Sequence, residues 1–187
     1  MIAVLLACSV GGMPADPPVH LDDYGKVPDF ALVDQTASPV TLAAFAGHIW
    51  LADFMFTSCP DICPTLSARM ATVAVKYAAE ERMQFVSFSV DPQTDTPARL
   101  LDYSARFDAK YPTWRFLTGE TTAMRKVVVD GFRLLMDKAP ATDVAPESIL
   151  HGSKFILIDA SGTIRAYPDP EGRGEIEAYV DLLLKEG

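Results

Sequence analysis

Phe54-Met55-Phe56-Thr57-Ser58-Cys59-Pro60-Asp61-Ile62-Cys63-Pro64-Thr65 joins two different hydrophobic patterns. Before it, Ile49 to Phe56 is an apolar run that reads as a buried strand. After it, Ile62, Leu66, Met70, Val73 and Tyr77 recur by four, four, three and four residues, a helical period. The two cysteines therefore fall at a strand-to-helix junction. The first turn of a helix offers unpaired backbone N–H groups and the positive end of the dipole. Both favour thiolate, the form that attacks disulfides and binds metals. Residues at i and i+4 share a helix face, so the spacing of Cys59 and Cys63 aims both sulfurs at one point. Pro60 and Pro64 stiffen the turn, and a proline in a first helical turn removes an N–H that would be unpaired anyway.

Two soft donors at one point suit Cu(I), Zn or a redox dithiol. The plainer alternatives are buried structural cysteines or a simple disulfide.

The chain has 187 residues, enough for one domain with a tail. Its composition is that of an ordinary globular protein, 49% hydrophobic and 22% charged. A net charge of −9 argues against nucleic acid, whose phosphates need a basic surface. The third cysteine, Cys8, stands in Leu5-Leu6-Ala7-Cys8, similar to a bacterial lipobox in which the cysteine is lipidated. The run Met1 to Val10 is too short to span a bilayer and lacks a basic n-region, so the expectation is a truncated leader. Export and an oxidising compartment follow from either reading of Cys8, lipid attachment or the end of a leader. Gly11 to Pro28 is rich in Gly, Pro and Asp and reads as a flexible tether carrying an exposed His20. The expected division is a leader and tether over 1–28 and one domain over 29–187.

Within that domain, Phe30–Val33 and Val40–Leu42 flank a polar turn and suggest a hairpin. His48 reads as a strand-entry residue rather than a ligand. The helix that begins at Ile62 is expected to reach Glu81, and Gln84 to Val90 to form a second strand. Thr96 is a good N-cap and Pro97 a good first residue for a helix to Phe107, with Leu100, Leu101 and Phe107 inward. Trp114 to Leu117 is a short strand, with a sheet edge as one place for it. Thr121 to Gly131 is helical, with Met124, Val127 and Val128 on one side and Gly131 as its stop. Met124 and Met136 are soft donors in principle, but core filling is the better reading of both. Asp137 to Ser148 reads as a long loop. Lys154–Ile158 and Thr163–Tyr167 form a hairpin around Gly162. A last helix starts at Gly172.

The segment Phe56-Thr57-Ser58-Cys59-Pro60-Asp61-Ile62-Cys63-Pro64-Thr65 resembles the signature of the Sco/SenC proteins, copper-handling factors with a thioredoxin-like fold. Ser89-Val90-Asp91-Pro92 followed by Asp95-Thr96-Pro97 is similar to a second Sco segment, and Asp91, at a strand end, is a candidate neighbour of the dithiol. The resemblance implies an α/β, thioredoxin-like fold with an N-terminal hairpin extension, in which the loop before the late hairpin faces the dithiol. That loop holds His151. Cys59, Cys63 and His151 would then form a two-sulfur, one-nitrogen site for one copper ion per monomer, a set that Cu(I) accepts and to which Cu(II) can add an oxygen. Two departures from the family pattern stand out: Ser58, where histidine is common, and Leu150, where an aspartate usually precedes the histidine. The absent aspartate removes a carboxylate that would orient the imidazole.

The function the resemblance implies is a copper chaperone, not an enzyme. It would be extracytoplasmic or periplasmic, monomeric and membrane-tethered through Cys8. It would deliver copper to the CuA subunit of cytochrome c oxidase, with other copper chaperones or thiol reductants as further partners. The alternative is a thiol–disulfide reductase, or a redox or copper sensor, using the same Cys59–Cys63 dithiol. A peroxiredoxin is set aside, because Phe56 and Ala52 stand where those enzymes place Thr or Ser and Pro.

Overall fold

The computed structural model describes residues 19–132, 154–172 and 174–186. His151, Cys8 and Met136, with the loop read over Asp137 to Ser148, lie outside the described residues. The apolar run after Gly47 becomes β3 (Ile49–Met55), buried along its whole length. It sits inside one seven-stranded sheet together with β1 (Ala31–Asp34), β2 (Pro39–Thr41), β4 (Met83–Ser89), β5 (Trp114–Thr118), β6 (Ile156–Ile158) and β7 (Ile164–Ala166), in the order β2-β1-β5-β4-β3-β6-β7. The three inner strands β3, β4 and β5 are parallel. β1 joins β5, and β6 joins β3, antiparallel. The two parallel crossovers run through helices on one face of the sheet, and the helical stretch after β5 covers the other, so β3 is buried along its whole length.

Side chains alternate across a strand, and β3 shows it. Leu51 and Met55 face one layer with α1 (Ile62–Lys76), α2 (Pro97–Ala105) and α4 (Glu175–Glu186), whose Leu66, Met70, Val73, Leu100, Tyr103, Ile176, Val180 and Leu183 are buried there. Trp50, Ala52 and Phe54 face the other layer with Met124, Val127, Val128 and Phe132, carried by α3 (Thr121–Arg125) and a π-helical turn, Lys126–Gly131. Met124 is fully buried, which is the core role expected of it.

The N-terminal hairpin is present as β1 and β2. Asp34 Oδ1 closes its turn by accepting from Thr36 N at 2.8 Å and Ser38 N at 3.1 Å. The Gln35 carboxamide then pairs with the β5 backbone, donating to Trp114 O at 3.2 Å and accepting from Phe116 N at 2.9 Å. Thr96 caps α2, its hydroxyl accepting from Arg99 N, and Pro97 opens the helix. Gly162 takes the left-handed conformation at φ 79° that the late turn requires.

Several expectations need correction. α1 ends at Lys76 rather than near Glu81. Tyr77 is drawn onto α4, where its hydroxyl donates to Asp181 Oδ1 at 2.6 Å, and the chain turns there toward β4. β5 is not at an edge: it lies between β1 and β4, because the N-terminal hairpin pairs with its outer side. Leu101 is 49% exposed; Leu100 and Tyr103 take the inward face of α2 instead. Gly131 ends the π turn for a different reason than a left-handed cap. A Cβ there would lie 2.7 Å from the ring of Pro28. The end of the stretch read as a tether is packed: Leu21 and Val27 are buried, and Tyr24 N and Val27 N donate to Ile164 O and Gly162 O, each at 3.0 Å.

Candidate metal centre

The cysteines stand at the carboxyl end of β3, where loops of an open parallel sheet commonly form sites. The last rung of that strand is Val90 N donating to Met55 O at 2.9 Å. The chain then leaves the sheet in a turn closed by Cys59 N donating to Phe56 O at 3.1 Å, and α1 starts at Ile62. Cys59 therefore precedes the helix, and the i, i+4 face argument does not apply to it. The two residues meet by another route: Cys63 N donates to Cys59 Sγ at 3.5 Å. This is one of the orphan N–H groups of the first helical turn, and the Cys59 sulfur satisfies it.

Both cysteines are free thiols, and they differ in exposure. Cys59 is partly exposed, whereas Cys63 is 3% exposed. Burial pushes the Cys63 thiol well up, and the Phe56 backbone N–H opposes the shift only in part. The expectation that the helix terminus would lower both thiols is thus corrected for Cys63: loss of solvent outweighs the dipole.

Under the dithiol lies a polar strip inside an apolar layer. Asp53 belongs to the same strand face as Leu51 and Met55 and is fully buried. Among the described residues neither of its oxygens meets a hydrogen-bond partner. Burial pushes its carboxyl up to about 7; the Ser87 hydroxyl beside it on β4 and its own backbone N–H lie near enough to oppose the shift in part but not in hydrogen-bond geometry. Its charge, like that of Cys59, adds to the upward push on Cys63. The Tyr103 hydroxyl bonds Ser67 Oγ at 3.1 Å, and burial, with Cys63 and Asp53 nearby, pushes that phenol up too. Sequence reading passed over Asp53 and Tyr103. The available signal was one acid in an otherwise apolar run of strand.

Asp91, named from sequence as a neighbour of the dithiol, is buried at the start of the β4–α2 turn, its backbone N–H held by Ser89 Oγ. A second acid of the same turn, Asp95, reaches the cysteine turn, where it accepts from Thr57 N and from Thr57 Oγ1. His48 is at strand entry, Nδ1 3.1 Å from Ala46 O, as expected. Among the described residues no three His, Cys, Asp or Glu side chains converge as a metal site. The two thiols are soft donors of the kind Cu(I) prefers.

β6 is the neighbour of β3 on its other side. Its residue Ile156 pairs with Ala52 and Ile158 with Trp50, so the strand enters the sheet at the cysteine end and runs away from it. Lys154, the described residue nearest in sequence to His151, precedes that entry.

A parallel β3-β4-β5 core with two free cysteines where β3 meets α1 defines a thioredoxin-like protein. More narrowly, residues 20–183 match the family model of SCO1/SenC, and the chain belongs to that family. It is similar to a SCO1/SenC family lipoprotein from Bacillus anthracis, with a TM-score of 0.75 and 31% identity over 86% of this chain and 94% of that one. It is also similar to BsSco, a member of the Sco family of cytochrome c oxidase assembly proteins in which a disulfide switch was identified, with a TM-score of 0.72 and 29% identity over 87% and 94% of the two chains. The copper-bound ScoI of Bradyrhizobium japonicum has a TM-score of 0.68 and 26% identity, covering 85% of this chain and 99% of that one.

Proposed function

We propose that this protein is a copper chaperone of cytochrome c oxidase assembly, holding one copper ion between Cys59, Cys63 and His151 and passing it to the CuA subunit. The observation that carries the reading is the convergence of two elements on one end of the sheet. Cys59 and Cys63 are free thiols joined by the 3.5 Å N–H···S contact, and β6 enters from their side. His151 stands three residues before Lys154 in the sequence that leads into β6. The copper-bound state of ScoI supports the cargo. A partly exposed Cys59 beside a buried Cys63 suits transfer, because an incoming ligand can displace the outer sulfur first.

The same asymmetry favours a second reading, dithiol–disulfide exchange on cysteines of a partner, with Cys59 attacking and Cys63 resolving. The disulfide switch of BsSco supports it. The domain comprises 29–187 with the packed strap from Leu21 to Val27, and Cys8 is the lipid attachment site that places it outside the cytoplasm. The lipoprotein relative supports that placement. Among the described residues no helix is long and apolar enough to cross a membrane.

His151→Ala separates the two readings. Copper titration of the reduced protein should lose its Cu(II)–thiolate charge-transfer band and tight binding in this variant, while exchange with glutathione persists. A variant that binds copper like wild type removes His151 from the site.

A further inference from the structure

We propose that Asp95 is a positioning residue for the dithiol, setting through Thr57 where the Cys59 turn stands against α1. The carboxylate is fully buried, yet it meets three donors from two elements. Thr57 N donates to both its oxygens, at 3.2 and 3.1 Å. Thr57 Oγ1 donates to Oδ1 at 2.5 Å, and Ser89 Oγ to Oδ2 at 2.7 Å. The post that carries the carboxylate is itself fixed. Thr94 N and Asp95 N both donate to Asp91 O, at 3.0 and 2.9 Å, and α2 begins at Pro97 behind a capped Thr96.

The other end of the tie is the start of the cysteine turn. β3 leaves the sheet after Met55, and Thr57 lies inside the turn closed by Cys59 N on Phe56 O. Thr57 is two residues from Cys59, so holding its N–H and its hydroxyl fixes the approach of Cys59 Sγ to the Cys63 N–H. Asp95 does not act as a ligand in this scheme. Among the described residues no cluster of metal-binding groups includes it. A buried carboxylate satisfied by hydroxyl and backbone donors is stiff, because releasing any donor leaves a buried acceptor unpaired.

The tie holds the turn where it stands with two thiols, and closing a disulfide must draw the sulfurs to about 2 Å and pull the turn against it, so the tie disfavours the disulfide. The inference rests on the dithiol as the working site and holds for either reading of its function. The test is the equilibrium in which the two thiols and one oxidised glutathione give the Cys59–Cys63 disulfide and two reduced glutathiones, electrons and protons passing to glutathione. Thr57→Val keeps shape and removes the hydroxyl, whereas Thr57→Ser keeps the hydroxyl. Asp95→Asn replaces an acceptor by a donor opposite Thr57.

Thr57→Val and Asp95→Asn should each move the equilibrium at least tenfold toward the disulfide, a potential about 30 mV lower. Thr57→Ser should match wild type. So should Tyr77→Phe, which breaks a hydrogen bond at the far end of α1 and controls for general loss of stability. Wild-type potentials in folded Thr57→Val would overturn the proposal, as would an equal shift in Tyr77→Phe. If Asp95→Asn does not fold, the two Thr57 variants decide alone. A wild-type protein that binds no copper would remove the chaperone reading and leave this measurement standing.

Discussion

Cys63 donates its backbone N–H to the sulfur of Cys59 at 3.5 Å, so the buried residue of the pair holds the partly exposed one in place. The chemistry is divided accordingly. Cys59 is partly open to solvent, and Cys63 is buried in the cluster that includes Leu66, Met70 and Tyr103.

Alkylation should reveal this division. With the reduced protein at neutral pH, iodoacetamide should modify Cys59 at least about tenfold faster than Cys63, since reactivity follows thiolate character and access. Peptide mapping by mass spectrometry at successive times reads both rates. Equal rates would show that the turn opens readily and that Cys63 is not held as described.

Asp53 should make stability depend on pH. Its carboxyl is pushed from 3.8 to about 7 in the folded protein, so between those values the folded state binds more protons than the unfolded one. Stability must therefore fall as pH rises through this window, and the loss is complete above pH 7. The difference between pH 5 and pH 8 is on the order of 3 kcal/mol. Asp53→Asn should remove this slope, read as urea midpoints at the two pH values. Parallel pH profiles for wild type and variant would contradict the assignment.

Arg69 joins α1 to α4 with a two-pronged contact, Nη1 and Nη2 to the Glu177 carboxylate at 2.9 and 2.8 Å, and its Nε donates to Pro170 O at 3.2 Å. Both side chains are mostly covered, at 22% and 15% exposure. Arg69→Ala should lower stability by roughly 2 kcal/mol, more than an exposed ion pair would. Chemical denaturation checks the figure, and a loss below about 0.5 kcal/mol would place the pair with ordinary surface contacts.

What the chain discloses before folding is its local physics. The strand-to-helix junction at Cys59–Cys63, the Thr96–Pro97 helix start and the Gly162 turn all appear where expected, because each is specified by neighbours in sequence. The interior place of β5 was hidden, since it depends on a hairpin about 80 residues earlier pairing with its free side. Asp53 and Asp95 were hidden for the same reason. One is defined by the layer that closes over it, the other by Thr57, a partner 38 residues away. The pairing of the two cysteines was legible, but the burial that raises Cys63 was not.

The central claim is that two thiolates hold one copper ion, and an anaerobic copper titration of the reduced protein tests it most directly. Wild type should bind one equivalent, and Cys59→Ala and Cys63→Ala should each lose it. Stoichiometric, tight copper binding by Cys59→Ala would contradict the account.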